Sequence, residues 1–197
     1  MEVFVMVRTL QGRVIFVLHA QTDCNGVYPD ITKEGIETLK SSAHMIRGFL
    51  SCDLNGNSNV IIEASPMTMT MGSAAIIASM IGYEGKVREE PSMQESITKA
   101  RKKRFFKYLS KIVRCLLAEQ QPFLNFICVT HYETLYHLVE DLFKDYAEDK
   151  RLSYGEIIVF SIFDIGIENV NVVEMEVTFR EKTINGKFFD YKEQEIY

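Results

Sequence analysis

Short runs of apolar residues recur along this 197-residue chain and alternate with longer segments in which apolar residues return every three or four positions. The short runs predict β-strands, and the longer segments predict amphipathic α-helices. The run at 14–18, V-I-F-V-L, is continuous, which is typical of a strand covered on both faces of a sheet. We expect it to form a hairpin with the run at 3–7, with Gly12 in the turn. The other strand-like runs are 60–62, 123–129, 156–163 and 170–179.

The clearest helical pattern begins after Thr32, whose side-chain oxygen is suited to cap a helix N-terminus. Its apolar residues lie along one helix face. They are Ile36, Leu39, Ala43, Ile46 and Leu50. Three more segments, 72–81, 99–119 and 135–143, also have the spacing of helices.

The order of these segments predicts the fold class. Strand-like and helical segments alternate through the middle of the sequence, and such alternation indicates parallel strands joined by helical crossovers. We therefore predict a single α/β domain over residues 1–197, a three-layer sandwich in which helices flank a mainly parallel central sheet. No internal repeat, low-complexity tract or linker divides the sequence.

The composition is that of an ordinary globular domain, with 47% hydrophobic and 25% charged residues and a net charge of -5. The negative charge disfavours nucleic acid as a partner, and the lack of a long apolar run disfavours a membrane protein. The four cysteines match no metal-binding spacing, so we expect reduced thiols, no metal and no cofactor. The N-terminus lacks the pattern of a signal peptide, which predicts a cytoplasmic protein.

Two histidines lie at the ends of predicted strands. His19 directly follows the run at 14–18, and His131 follows the run at 123–129 after one threonine. Ligands of such α/β sheets bind outside the carboxyl ends of the strands. Either histidine alone would be interpreted as an ordinary loop residue, but their matching positions favour a common site.

Four short motifs accompany the histidines. The chain reads L-H-A-Q-T-D-C-N at 18–25, I-T-K-E-G at 31–35, S-P-M-T-M-T-M-G-S-A at 65–74 and V-T-H at 129–131. The set resembles the histidine phosphatase, or phosphoglycerate-mutase-like, superfamily. Its motifs are R-H-G-E-T-x-x-N, L-T-x-x-G, S-P-x-x-R-A-x-Q-T-A and V-S/T-H. The resemblance covers most of residues 13–165.

The resemblance implies phosphoryl transfer through a phosphohistidine. It makes His19 the nucleophile, His131 a second imidazole that donates to the phosphate, and Glu89 the general acid, with Glu90 as the fallback. An exposed charged loop is an equally good interpretation of the segment that contains the two glutamates. We expect Thr22, Asn25, Ser65 and Arg88 to bind the phosphate.

Both phosphate-binding arginines of the superfamily motifs are missing, because Leu18 and Met69 occupy their positions. A phosphate dianion in a partly dry pocket needs neutralising charge, for which guanidinium groups are well suited. Arg88 is the basic residue that we consider as a replacement for the two missing arginines. We therefore favour a degenerate protein, non-catalytic or severely impaired, that binds a phosphorylated small molecule or a protein partner. The alternative is an active, divergent phosphohydrolase that works through a phosphohistidine at His19.

The segment 99–114 is rich in lysine and arginine. At helical spacing these bases lie opposite an apolar stripe, so we interpret them as a solvated helix face. An acidic protein or an anionic ligand is the alternative that remains for this face. The apolar stripe consists of Phe105, Leu109, Ile112 and Leu116.

Three methionines, Met67, Met69 and Met71, alternate with other residues. Thioethers bind soft metal ions. Adaptable side chains that fill the space of a missing arginine are the simpler interpretation, so we expect no metal site there.

Overall fold

Strands and helices alternate in the computed structural model, which describes residues 8–23, 30–51, 59–94, 99–117, 123–143, 151–164 and 172–189. The strands are β1 (Thr9–Leu18), β2 (Thr22–Asp23), β3 (Asp30–Ile31), β4 (Asn59–Ala64), β5 (Arg88–Glu89), β6 (Leu124–Thr130), β7 (Ile157–Asp164), β8 (Val172–Phe179) and β9 (Lys182–Phe189). The α-helices are α1 (Lys33–Ser51), α2 (Thr68–Ile81), α3 (Lys99–Leu117) and α4 (Tyr132–Leu142), and a short 3₁₀ helix, Pro91–Met93, follows β5.

The described strands other than β2 and β3 form the central sheet, in the order β5-β4-β6-β1-β7-β8-β9. The strands β5, β4, β6 and β1 are parallel, and β7, β8 and β9 extend the sheet by antiparallel pairing. Strand β8 therefore runs in the same direction as β1, while β7 and β9 run against it. The predicted α/β fold with a mainly parallel sheet is confirmed. The antiparallel extension is an addition that the alternating segments did not indicate.

Helices cover both faces of the sheet, and neighbouring residues of β1 pack on opposite faces. Phe16 contacts Phe105 of α3, with ring centroids 5.2 Å apart. Ile15 belongs to the other core, which includes Leu39 of α1 and Ile77 of α2. Burying one large apolar side chain contributes about 1.5–3 kcal/mol to stability. The prediction that the run at 14–18 is buried on both faces is confirmed.

The start of α1 is fixed by contacts with the loop after β1. The Thr32 hydroxyl accepts a hydrogen bond from the Gly35 amide at 3.0 Å, which confirms Thr32 as the N-cap. A Cβ atom at Gly35 would lie 2.6 Å from the carbonyl oxygen of Gln21, so only glycine fits against this loop. The Thr32 amide also donates to the Gln21 carbonyl at 3.1 Å. These contacts tie α1 to the segment that follows His19.

The predicted turn at Gly12 is wrong, because Gly12 lies inside β1. The pairing of β1 with β7 shifts register between Leu10 and Gly12. A Cβ atom at Gly12 would lie 2.1 Å from the carbonyl oxygen of Leu124 in β6. The glycine is therefore needed for the close approach of two strands rather than for a turn. The run at 3–7, its predicted hairpin partner, lies outside the described residues.

Three element boundaries also differ from the predictions. Helix α2 begins at Thr68 and α4 at Tyr132, before their predicted first residues, because the first turns, T-M-T-M and Y-E-T-L, show no clear helical periodicity of apolar residues. The sheet also does not end with the run at 170–179, since β9 pairs with β8. None of the helices in the described ranges is both long enough and apolar enough to cross a lipid bilayer.

Candidate functional site

His19 and His131 lie side by side at the carboxyl edge of the sheet. Strands β1 and β6 are parallel neighbours, and the His19 amide donates to the carbonyl of Thr130 at 3.1 Å. The centroids of the two imidazole rings are 5.6 Å apart, with an angle of 65° between the ring planes. The fold therefore brings together the two histidines that the sequence singled out.

The His19 ring is oriented by its own backbone and by α2. Its Nδ1 lies 2.8 Å from the carbonyl oxygen of Ala20, so the ring donates a hydrogen bond when the proton is on Nδ1. The Ala20 amide in turn donates to the Ser73 hydroxyl at 2.9 Å, and that hydroxyl donates to the Met69 carbonyl at 2.7 Å. In this tautomer Nε2 is the unprotonated nitrogen, as nucleophilic attack requires.

His131 is almost completely buried, with 4% of its surface exposed. Its Nε2 shares a hydrogen bond with the hydroxyl of Ser65 at 2.8 Å. Burial, and secondly the proximity of His19, lower the pKa of His131 to about 4. The ring is therefore neutral at pH 7, and it adds no positive charge to the site.

A cleft of about 380 Å³ opens beside the two imidazoles. Its walls expose polar and apolar surface in similar amounts, and none of the described residues that line it is lysine or arginine. The acidic residue on its wall is Glu133, in the first turn of α4, where the helix N-terminus stabilises negative charge. The lining residues are Leu18, His19, Met67, Met69, His131, Tyr132, Glu133, Leu152 and Tyr154.

The two positions that hold arginine in the superfamily motifs both reach this cleft. Leu18 is 1% exposed and belongs to the core on the α3 and α4 face. Met69, in the first turn of α2, is half-buried. Two apolar side chains therefore stand where the resemblance expects the charges that bind phosphate.

The segment 151–156 contributes site residues that sequence analysis missed. The Gly155 amide donates to the Leu18 carbonyl at 3.0 Å, and the Leu18 amide donates to the Glu156 carbonyl at 3.0 Å. This pairing places Tyr154 against His19, with ring centroids 5.7 Å apart. Tyr154 had no local signal, because it lies in a loop. Ser73 could have been found, since it lies inside the quoted motif at 65–74.

Three further predicted residues, Thr22, Arg88 and Glu89, are not among the described residues that line the cleft. Thr22 is half-buried in β2, and Arg88 and Glu89 are exposed on β5. Glu89 pairs in register with Ala64, the last residue of β4 and the neighbour of Ser65. The catalytic and phosphate-binding roles of these residues stay predictions.

The last two predicted site residues are Asn25 and Glu90. Asn25 lies outside the described residues. The Glu90 carboxylate, the fallback acid, accepts a hydrogen bond from the Ser92 amide at 2.9 Å and caps the 3₁₀ helix. Within the described ranges, no three histidine, cysteine or acidic side chains cluster closely enough to hold a metal ion.

Comparison with known proteins rests on structure, because no family model and no curated protein matches the sequence. A solved structure described as mycobacterial hydrolase 2 is 12% identical, with a TM-score of 0.60 over 87% of this chain and 90% of that one. The protein histidine phosphatase SixA, in complex with tungstate, is 10% identical, with a TM-score of 0.55 over 90% of this chain and 97% of that one.

A third structure, the mycobacterial glucosyl-3-phosphoglycerate phosphatase, is 13% identical, with a TM-score of 0.54 over 76% of this chain and 90% of that one. Identities this low establish a shared fold and not a shared activity. The similarity nevertheless extends over most of each structure. The chain therefore has the fold of the histidine phosphatases.

Proposed function

We propose that this protein is a degenerate relative of the histidine phosphatases that binds a ligand or a protein partner and has little or no phosphatase turnover. One observation carries the proposal: among the described residues, no lysine or arginine lines the cleft beside His19 and His131. Leu18 and Met69, at the arginine positions of the superfamily motifs, line it instead. A phosphate dianion in this cleft would lack the charge that its binding requires.

The missing charge sets the size of the expected effect. One preorganised donor to a developing negative charge contributes about 2.7–4 kcal/mol of transition-state stabilisation. Two such donors would contribute roughly 5–8 kcal/mol if their effects were additive. This loss corresponds to about four to six orders of magnitude in rate. The carboxylate of Glu133 on the cleft wall adds repulsion toward a phosphate dianion.

Hydrolysis of p-nitrophenyl phosphate by the purified protein tests the proposal. We expect hydrolysis at or near the rate measured in buffer without protein. The variant His19→Ala should hydrolyse the substrate at the same rate. His44→Ala is the matched control, because His44 is exposed on α1. The proposal would be overturned by a turnover number on the order of 1–1000 per second that His19→Ala abolishes and His44→Ala retains.

The second candidate function is that of an active, divergent phosphohydrolase, which the arrangement of the imidazoles favours. His19 is oriented through Nδ1, and the neutral ring of His131 lies beside it. A cleft whose described walls carry no lysine or arginine suits a substrate with less charge than a phosphomonoester dianion. Hydrolysis of bis(p-nitrophenyl) phosphate, a monoanion, separates the candidates. A His19-dependent rate on this diester would establish the phosphohydrolase, and Glu89→Gln would then test the predicted general acid.

A further inference from the structure

Helix α3 carries a concentration of positive charge on an otherwise acidic protein. Eight of the 22 lysines and arginines of the chain lie between Lys99 and Leu117, and this helix contains no acidic residue. The other residues carry 14 bases against 27 acids, so their formal net charge is -13. Charge is therefore strongly segregated between this helix and the rest of the molecule.

Four of these bases form an exposed row, which we call the basic stripe. At about 100° per residue they fall within an arc of about 80°, and at about 1.5 Å per residue they span about 15 Å along the helix. In the described part of the chain none of them forms an ion pair. The basic stripe consists of Arg104, Lys107, Lys111 and Arg114.

The arrangement of the basic stripe is unfavourable for the helix in isolation. Its neighbours along α3 are three or four residues apart, and like charges at these spacings repel each other on a helix surface. Elsewhere in the described structure, some bases do have acidic partners, as in the pairs Lys40–Glu37 and Arg180–Glu156. An anionic partner would relieve this repulsion.

The surroundings of the basic stripe restrict the kind of partner. Phe105 is buried and Phe106 packs against the core, so the helix presents no exposed aromatic platform for nucleic-acid bases. The apolar face of α3 is already covered by the sheet, so the helix has no apolar face to insert into a lipid surface. The four charges are spread along about 15 Å of the helix surface, which disfavours a small anion.

We propose that the basic stripe docks an acidic segment of a partner protein. The segment would place aspartate or glutamate side chains along about 15 Å of α3. Complementary charge between the basic stripe and the acidic segment would favour encounter and orientation. The interaction uses a different part of the molecule from the cleft, so it does not depend on whether the cleft turns over phosphate.

Binding of fluorescein-labelled poly-L-glutamate, measured by anisotropy at low and high salt, tests the proposal. The test variant neutralises Lys107, Lys111 and Arg114 to glutamine. A control variant with the same change in net charge neutralises the exposed lysines 33, 40 and 86. We expect the test variant to bind about threefold to a hundredfold more weakly, because exposed charge pairs are individually weak. Binding by the wild type and the control variant should be equal and should weaken with salt.

The position of contact is checked with Cys115, an exposed thiol that lies one helical turn after Lys111. Poly-L-glutamate should slow its alkylation, measured by mass spectrometry, and circular dichroism should show that the test variant keeps its helices. Equal binding by the test and control variants would overturn the proposal. Tighter binding of an oligonucleotide or of phosphatidylserine vesicles than of poly-L-glutamate, lost in the test variant, would overturn it in favour of that partner.

Discussion

The buried imidazole of His131 should make folding stability depend on pH. The structure holds this ring neutral, with a pKa lowered to about 4 by burial and by the proximity of His19. In the unfolded chain the ring returns to a pKa of about 6.5. The unfolded state therefore binds more protons between these two values, so stability is complete above about pH 6.5 and is lost as the pH falls toward 4.

The two pKa values fix the size of the effect. For one such group the lost stability is about 1.2 kcal/mol at pH 5.5 and about 2.4 kcal/mol at pH 4.5, relative to pH 7. Carboxylates titrate in the same range, so the total pH dependence of the protein does not isolate the histidine. A variant that removes only this titration does isolate it.

Urea unfolding of the wild type and of His131→Gln at pH 7, 5.5 and 4.5 provides the measurement. We expect the wild type to lose about 2.4 kcal/mol more than the variant between pH 7 and 4.5. His137→Gln is the matched control, because the His137 side chain is 48% exposed. The His137→Gln variant should lose as much stability between pH 7 and 4.5 as the wild type does. If wild type and His131→Gln lose equal stability, the ring is not held neutral and the burial argument fails.

Two further predictions concern packing and charge. Gly12→Ala places a Cβ atom 2.1 Å from the Leu124 carbonyl oxygen, so we expect urea unfolding to show a loss of about 1–3 kcal/mol or more. Gly186→Ala adds a Cβ atom that meets no other atom within 4 Å, so this control should lose no stability. Equal losses of stability in the two variants would contradict the packing argument. Leu18→Arg with Met69→Arg should let vanadate raise the melting temperature, unlike in the wild type. A folded double variant insensitive to vanadate and phosphate would exclude the cleft as an anion site.

The sequence could predict those elements whose signal is local. The run at 14–18 is continuously apolar because both faces of β1 are covered, and Thr32 caps α1 through an amide three residues away. His19 and His131 could also be paired from sequence, because each directly follows a strand of a parallel sheet. In these cases the residues that carry the signal also make the contacts.

Other features depend on residues far apart in the chain. Gly12 looks like a turn residue, and its real constraint is the Leu124 carbonyl on a neighbouring strand. Strand β9 reads K-T-I-N-G-K-F-F, without an apolar run, and its pairing with β8 defines it. Tyr154 reaches His19 because the loop that carries it pairs with the end of β1. No local pattern reports such contacts.

Leu18 connects the stability of the core with the chemistry of the cleft. Its side chain is 1% exposed and packs in the same core as Phe16. An arginine here would be a buried, unpaired cation whenever the cleft held no anion, at a cost of several kcal/mol. Leucine instead contributes about 1.5–3 kcal/mol of apolar burial. One residue choice therefore stabilises the empty cleft and removes charge that a phosphate dianion needs, which fits a protein that works by binding rather than by phosphate turnover.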